Sequence, residues 1–74
     1  MGRRPYRQII YNLLLSILSE EIPQNIEAIR RHLSIKIGKE LSWNTVKKYV
    51  DELVEMGKVD KIQAGKILMY KKRV

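Results

Sequence analysis

The chain has 74 residues, with fifteen Lys and Arg against eight Asp and Glu and a formal net charge of +7. That length makes one domain, near the lower limit for building a core without staples. No cysteine and a single histidine, His32, exclude disulfides, thiolate metal sites and a histidine-built metal site, while the basic excess suits a polyanion (DNA, RNA or an anionic membrane face) or serves solubility alone.

The opening MGRRPYR carries three arginines in seven residues. Pro5 suits the first turn of a helix, where its missing amide hydrogen has no partner to lose. Residues 1–4 then read as a mobile basic arm. Arg3 and Arg4, with Arg7 just behind, either follow a phosphate backbone or minor groove or carry incidental charge. Over residues 6–19 the apolar positions Ile9, Ile10, Leu13, Leu14, Ile17 and Leu18 repeat at helical spacing. Tyr11 and Leu15 sit four apart on a neighbouring stripe that so small a domain cannot easily bury as well. An exposed Tyr11/Leu15 patch is therefore expected as a subunit contact in a homodimer, with scattered surface hydrophobes as the alternative. The segment IIYNLLLSIL is ten residues long and contains Asn12 and Ser16, whereas a membrane span needs about twenty apolar residues. No small-residue cleavage site follows it, so the expectation is a soluble, cytoplasmic protein without a membrane partner.

Pro23 breaks the connection after this helix, and Ile22 has the character of a very short strand. Asn25 is a good N-cap for a second helix over 26–37, and Glu27 in the first turn suits the helix dipole. Ile26, Ile29, Leu33 and Ile37 form one apolar stripe, and Gly38 is the natural stop. Only Lys39, Glu40 and Leu41 separate Gly38 from the next cap, Ser42. Two helices joined so tightly through a glycine make a helix-turn-helix unit or a generic helical hairpin. The third helix is expected over 43–56, within SWNTVKKYVDELVEMG. Val46, Val50, Leu53 and Val54 supply its buried face, and Gly57 supplies the left-handed closing residue. Asn44, Thr45, Lys47, Lys48 and Asp51 fall on the polar side, where amide, hydroxyl and ammonium groups suit phosphates and base edges. After Gly57 the period changes. Lys58 to Gln63 and Lys66 to Lys71 are short β-branched or apolar runs around Ala64-Gly65, which reads as a β-hairpin over 58–72.

Ser42-x-x-Thr45-Val46-x-x-Tyr49-Val50-x-x-Leu53, followed by Gly57-Lys58-Val59 and ending at Tyr70, resembles the recognition helix and wing of the winged helix-turn-helix DNA-binding family, in its small archaeal or archaeal-viral type. The resemblance covers almost the whole chain. It implies an α+β, mostly helical fold: three helices in a winged helix-turn-helix with a C-terminal β-hairpin wing. It also implies that Ser42, Trp43, Asn44, Thr45, Lys47 and Lys48 face DNA, with Ser42 and Thr45 at phosphates. Lys66 and Lys61 would carry the wing's contact. Lys48 stands where many members have arginine, and a lysine point charge reads guanine less specifically than a guanidinium fork. Trp43 packs against the neighbouring turn or stacks on a nucleotide.

Two functions of different class lead, ahead of RNA or nonspecific architectural DNA binding, for which the chain has few candidate stacking aromatics, Trp43 foremost. One is a sequence-specific, homodimeric transcriptional regulator that binds double-stranded DNA with helix three in the major groove and has no cofactor or small-molecule effector. The other is a winged-helix protein-interaction module docking through helix one. The acidic residues are dispersed, and no glycine-rich phosphate loop or nucleophile–base spacing is present, which argues against an enzyme. Abundant Ile, Lys, Arg and Glu lean towards a heat-adapted source.

Overall fold

The computed structural model describes residues 6–73, so the arm residues Arg3 and Arg4 lie outside the described residues. Its elements run α1 (Tyr6–Ile17), β1 (Gln24–Asn25), α2 (Ile26–Ile37), α3 (Trp43–Glu55), β2 (Val59–Ala64) and β3 (Ile67–Lys72). The strands form one antiparallel sheet in the order β1-β3-β2. Three helices with a terminal hairpin make the expected α+β, mostly helical architecture.

Helix ends lie where the sequence places caps. The Asn25 side chain accepts the Ala28 amide at 2.8 Å to open α2, and Gly38, at φ 85°, closes it by donating its N–H to Ser34 O. The turn that follows is fixed by α2 itself: the Leu41 amide donates to Ser34 Oγ, and the Arg30 guanidinium donates to Leu41 O. Arg30 also holds Glu27 at 2.6 Å, so this guanidinium is a clamp on the turn and has little left for a ligand. Ser42 opens α3 by accepting the Thr45 amide. At the other end Gly57 donates to Val54 O and Lys58 to Leu53 O, the paired bonds of a Schellman stop. Gly57 sits at φ 77°, a conformation that an L side chain resists.

α1 ends two residues earlier than expected. Ser19 is drawn into other bonds: its Oγ accepts the amides of Glu21 and Ile22, and its carbonyl accepts the Lys72 amide at 2.8 Å. This also corrects the expectation at Ile22, whose amide is taken by Ser19 and whose side chain is exposed. The short strand forms instead just past Pro23, where Gln24 pairs with Tyr70 and Asn25 with Met69.

The core joins every helix to the sheet through Ile10, Leu14, Leu18, Ile26, Ile29, Leu33, Val46, Val50, Leu53, Val59 and Tyr70. Tyr11 belongs to it as well, which corrects the expectation of an exposed Tyr11/Leu15 patch. The Tyr11 ring is 9 % exposed and meets Tyr49 edge-on at 6.1 Å, and its hydroxyl donates to the Glu52 carboxylate. Leu15 is half-buried against the same core. α3 crosses close enough to cover the second stripe of α1, so a two-stripe helix fits this small domain after all. The hydrogen bond to Glu52 raises the Tyr11 phenol above its ordinary range, with desolvation adding to it.

Candidate nucleic-acid interface

Charge is unevenly placed along the chain. Residues 58–73 hold six Lys and Arg against Asp60 alone, a net of +5. α3 holds Lys47 and Lys48 against Asp51, Glu52 and Glu55, a net of −1. The acids sit in its C-terminal half, and its first turn carries none. Within α3, the N-terminal half is therefore the part compatible with close approach of a polyanion, and the hairpin holds most of the net positive charge.

That N-terminal half presents Trp43, Asn44, Thr45 and Lys48 to solvent. Asn44 and Lys48 are one helical turn apart on the same face, an amide able to pair with adenine beside an ammonium. Ser42 and Thr45 are less open than expected. The Ser42 hydroxyl donates to Thr45 Oγ1 at 2.8 Å while accepting the Thr45 amide, so Ser42 works as a cap, and the Thr45 hydroxyl hydrogen is what can reach a phosphate. Lys47 also differs from its neighbour: it is half-buried and bonds Asp51 at 2.7 Å. Asp51 in turn accepts the Tyr70 hydroxyl at 3.2 Å. One carboxylate thus ties α3 to β3 and fixes the hairpin relative to the helix. Burial first, and the Asp51 charge second, push the Tyr70 phenol up to about 12.

The hairpin turn is Gly65-Lys66, with positive φ at glycine alone, the pattern of a type II′ turn. Both strands lie one residue further along the chain than the expected runs, β2 ending at Ala64 and β3 starting at Ile67. Lys66 lies at the tip, exposed, and lines a cleft of about 440 Å³ together with Trp43, Lys47 and Ile67. Lys61 is exposed on the edge strand β2, opposite Tyr70, and does not line that cleft. Arg7 stands apart from the N-terminal half of α3: its guanidinium is 3.8 Å from Glu52, about 12 Å along the helix axis from Asn44 at the usual rise. The structure thus groups Trp43, Lys47 and Lys66, sets Asn44 and Lys48 on the adjoining face, and leaves Arg7 beside the acidic half.

Two features escape a reading of the sequence. Exposed Arg31 and Lys39 flank the turn between α2 and α3, where the first helix of such a unit crosses a backbone. Their signal was simple proximity to the turn. The cleft beside Trp43 needs Ile67 and Lys66 brought back to it from the hairpin, and no local pattern announces that. No helix among the described residues is long and apolar enough to cross a membrane.

Comparison with known proteins supports the architecture. No family model matches the chain, and no curated protein matches it. A solved structure of HOP2, described for its DNA recognition and protein interaction domains and for homologous DNA pairing, superposes with a TM-score of 0.65 over 89 % of this chain and 95 % of that one, at 24 % identity. The fold is a winged helix. At that identity the likeness is one of fold, and the work of the winged helix must be read from its own residues.

Proposed function

We propose that this winged helix binds double-stranded DNA, placing the N-terminal half of α3 in the major groove while the wing covers flanking backbone. The observation that carries this reading is the joint exposure of Asn44 and Lys48 on a helix whose acidic residues are confined to its other half, beside a hairpin of net charge +5. Lys48 and the Thr45 hydroxyl meet phosphates or base edges, Asn44 reads adenine, and Lys66 holds the wing on the backbone. Arg31 and Lys39 add contacts where α2 crosses the strand. The likeness to HOP2, whose DNA recognition is named with its structure, supports the same reading. Within it, the finer role is sequence-specific transcriptional regulation.

The test is selection from a randomised duplex pool. Enrichment of one short site containing an adenine, lost with Asn44→Ala, supports specific reading through α3. Recovery without enrichment limits the function to unspecific binding, and no recovery at low salt overturns the proposal.

A second reading, docking of a protein partner on α1, rests on a notch of about 100 Å³ where Leu15 and exposed Met56 meet beside Gln8 and Asn12. With Tyr11 drawn into the core, this surface is smaller and more polar than the sequence leads one to expect. Any pairing of two copies through α1 would use Leu15 and Met56.

A further inference from the structure

Trp43 is the single tryptophan of the chain, and it is 46 % exposed at the start of α3. Leaving an indole half in water forgoes burial of one of the largest apolar surfaces a residue has. Its surroundings are not those of a stray surface hydrophobe. Trp43 forms one wall of the 440 Å³ cleft, and the other walls include Ile67, itself 54 % exposed, and Leu68 from β3. Lys47 and Lys66 bring positive charge from α3 and from the wing tip, and Asn25 adds an amide. Asn25 Oδ1 is occupied by the Ala28 amide, so its contribution to a ligand is the donor end. Glu27, also on the wall, is bound to Arg30, which holds its carboxyl below the ordinary range.

From this arrangement we infer that the cleft between Trp43 and the wing is a binding site for an unpaired nucleotide of a nucleic-acid strand: the base stacks on the indole against Ile67, and its phosphates lie on Lys66 and Lys47. The inference rests on the nucleic-acid reading above and adds a class of substrate to it. A base within a duplex shows this cleft only its edge, because its faces are already stacked. An unpaired base offers the π-face that an exposed indole takes regardless of sequence. Cations beside an aromatic platform are the pairing that single-strand sites use for backbone and base together. The cleft volume also falls in the usual range for small-ligand sites, about 300–1,000 Å³. Lys47 reaches a phosphate by exchanging one anion, Asp51, for another, and Lys66 has no partner to give up among the described residues.

The lone tryptophan makes the test direct. The whole chain is titrated with a short oligothymidylate, with an abasic oligomer of the same phosphate number, and with a blunt duplex, following tryptophan emission and, separately, anisotropy of labelled strands. The oligothymidylate should quench emission saturably and bind on the order of tenfold more tightly than the abasic oligomer, the size expected of one stacked base. Trp43→Ala should lose that tenfold preference for the oligothymidylate over the abasic oligomer, and Trp43→Phe should keep most of it. Equal binding and quenching by the abasic oligomer would overturn the inference, as would an alanine variant that still binds the oligothymidylate tenfold more tightly than the abasic oligomer. If the duplex binds with strong salt dependence while the base makes no difference, this inference falls and duplex binding stands. If none of the three binds, both fall.

Discussion

Asp51→Asn separates the mechanical from the electrostatic role of one carboxylate. Asp51 holds Lys47 at 2.7 Å and accepts from Tyr70 at 3.2 Å. The lysine pair is part-exposed and spaced i,i+4, so its loss costs about 0.3–0.5 kcal/mol. An asparagine oxygen still accepts from Tyr70, and weakening that bond adds a few tenths of the roughly 1 kcal/mol a hydrogen bond contributes. The variant should therefore stay folded, with a melting temperature lower by only about 3–6 °C. Its effect on DNA should run the other way. α3 passes from a net charge of −1 to zero, and Lys47 is released to a phosphate. One added phosphate contact steepens the slope of log K against log salt by about 0.9, which at about 0.1 M salt corresponds to some eightfold in affinity. The assay is duplex anisotropy at several salt concentrations, with circular dichroism for the fold. A folded variant whose slope and affinity do not rise would refute the placement of Lys47 and Asp51 near the backbone.

Lys48→Ala should lower duplex affinity about eightfold at 0.1 M salt and flatten the slope by about 0.9, while Lys47→Ala should do less because Asp51 already occupies that ammonium; comparing the two slopes checks the ranking. Gly57→Ala should destabilise by about 1–2 kcal/mol, the left-handed penalty, since the added methyl meets only the flexible Arg73 side chain at 3.4 Å; thermal unfolding reads it directly. Tyr70 keeps its proton up to about pH 12 against an ordinary value of 10. Its raised pKa contributes stability that is intact below about pH 10 and is lost as pH rises through 12. Alkaline titration at the tyrosinate band should show a late phase coincident with unfolding, reduced in Tyr70→Phe to the part that the raised Tyr11 phenol supplies.

How far the sequence carries this account depends on the range of the forces involved. Helices α2 and α3 were legible because Asn25, Ser42, Gly38 and Gly57 act within one turn of their own backbone. The end of α1 is not legible because the Ser19 carbonyl is claimed by Lys72, more than fifty residues away. β1 is two residues long and has no period to detect; only its pairing with Tyr70 and Met69 makes it a strand. The burial of Tyr11 is not legible because the stripe pattern of α1 cannot say that α3 will cover two stripes. At the interface, residue types on α3 were readable, but commitments were not: Ser42 and Lys47 look as available as Asn44 and Lys48 until their partners are seen. The Lys47–Asp51 spacing was visible in the sequence, whereas its link to Tyr70 was not.

The most direct test of the central claim is the affinity of the unmodified chain for a random-sequence duplex measured from low to physiological salt. Binding through the wing, the turn and the front of α3 predicts log K falling linearly with log salt, with a slope of about −2.7 to −4.5 for some three to five neutralised phosphates. Absence of binding at low salt, or an affinity that salt leaves unchanged, would contradict it.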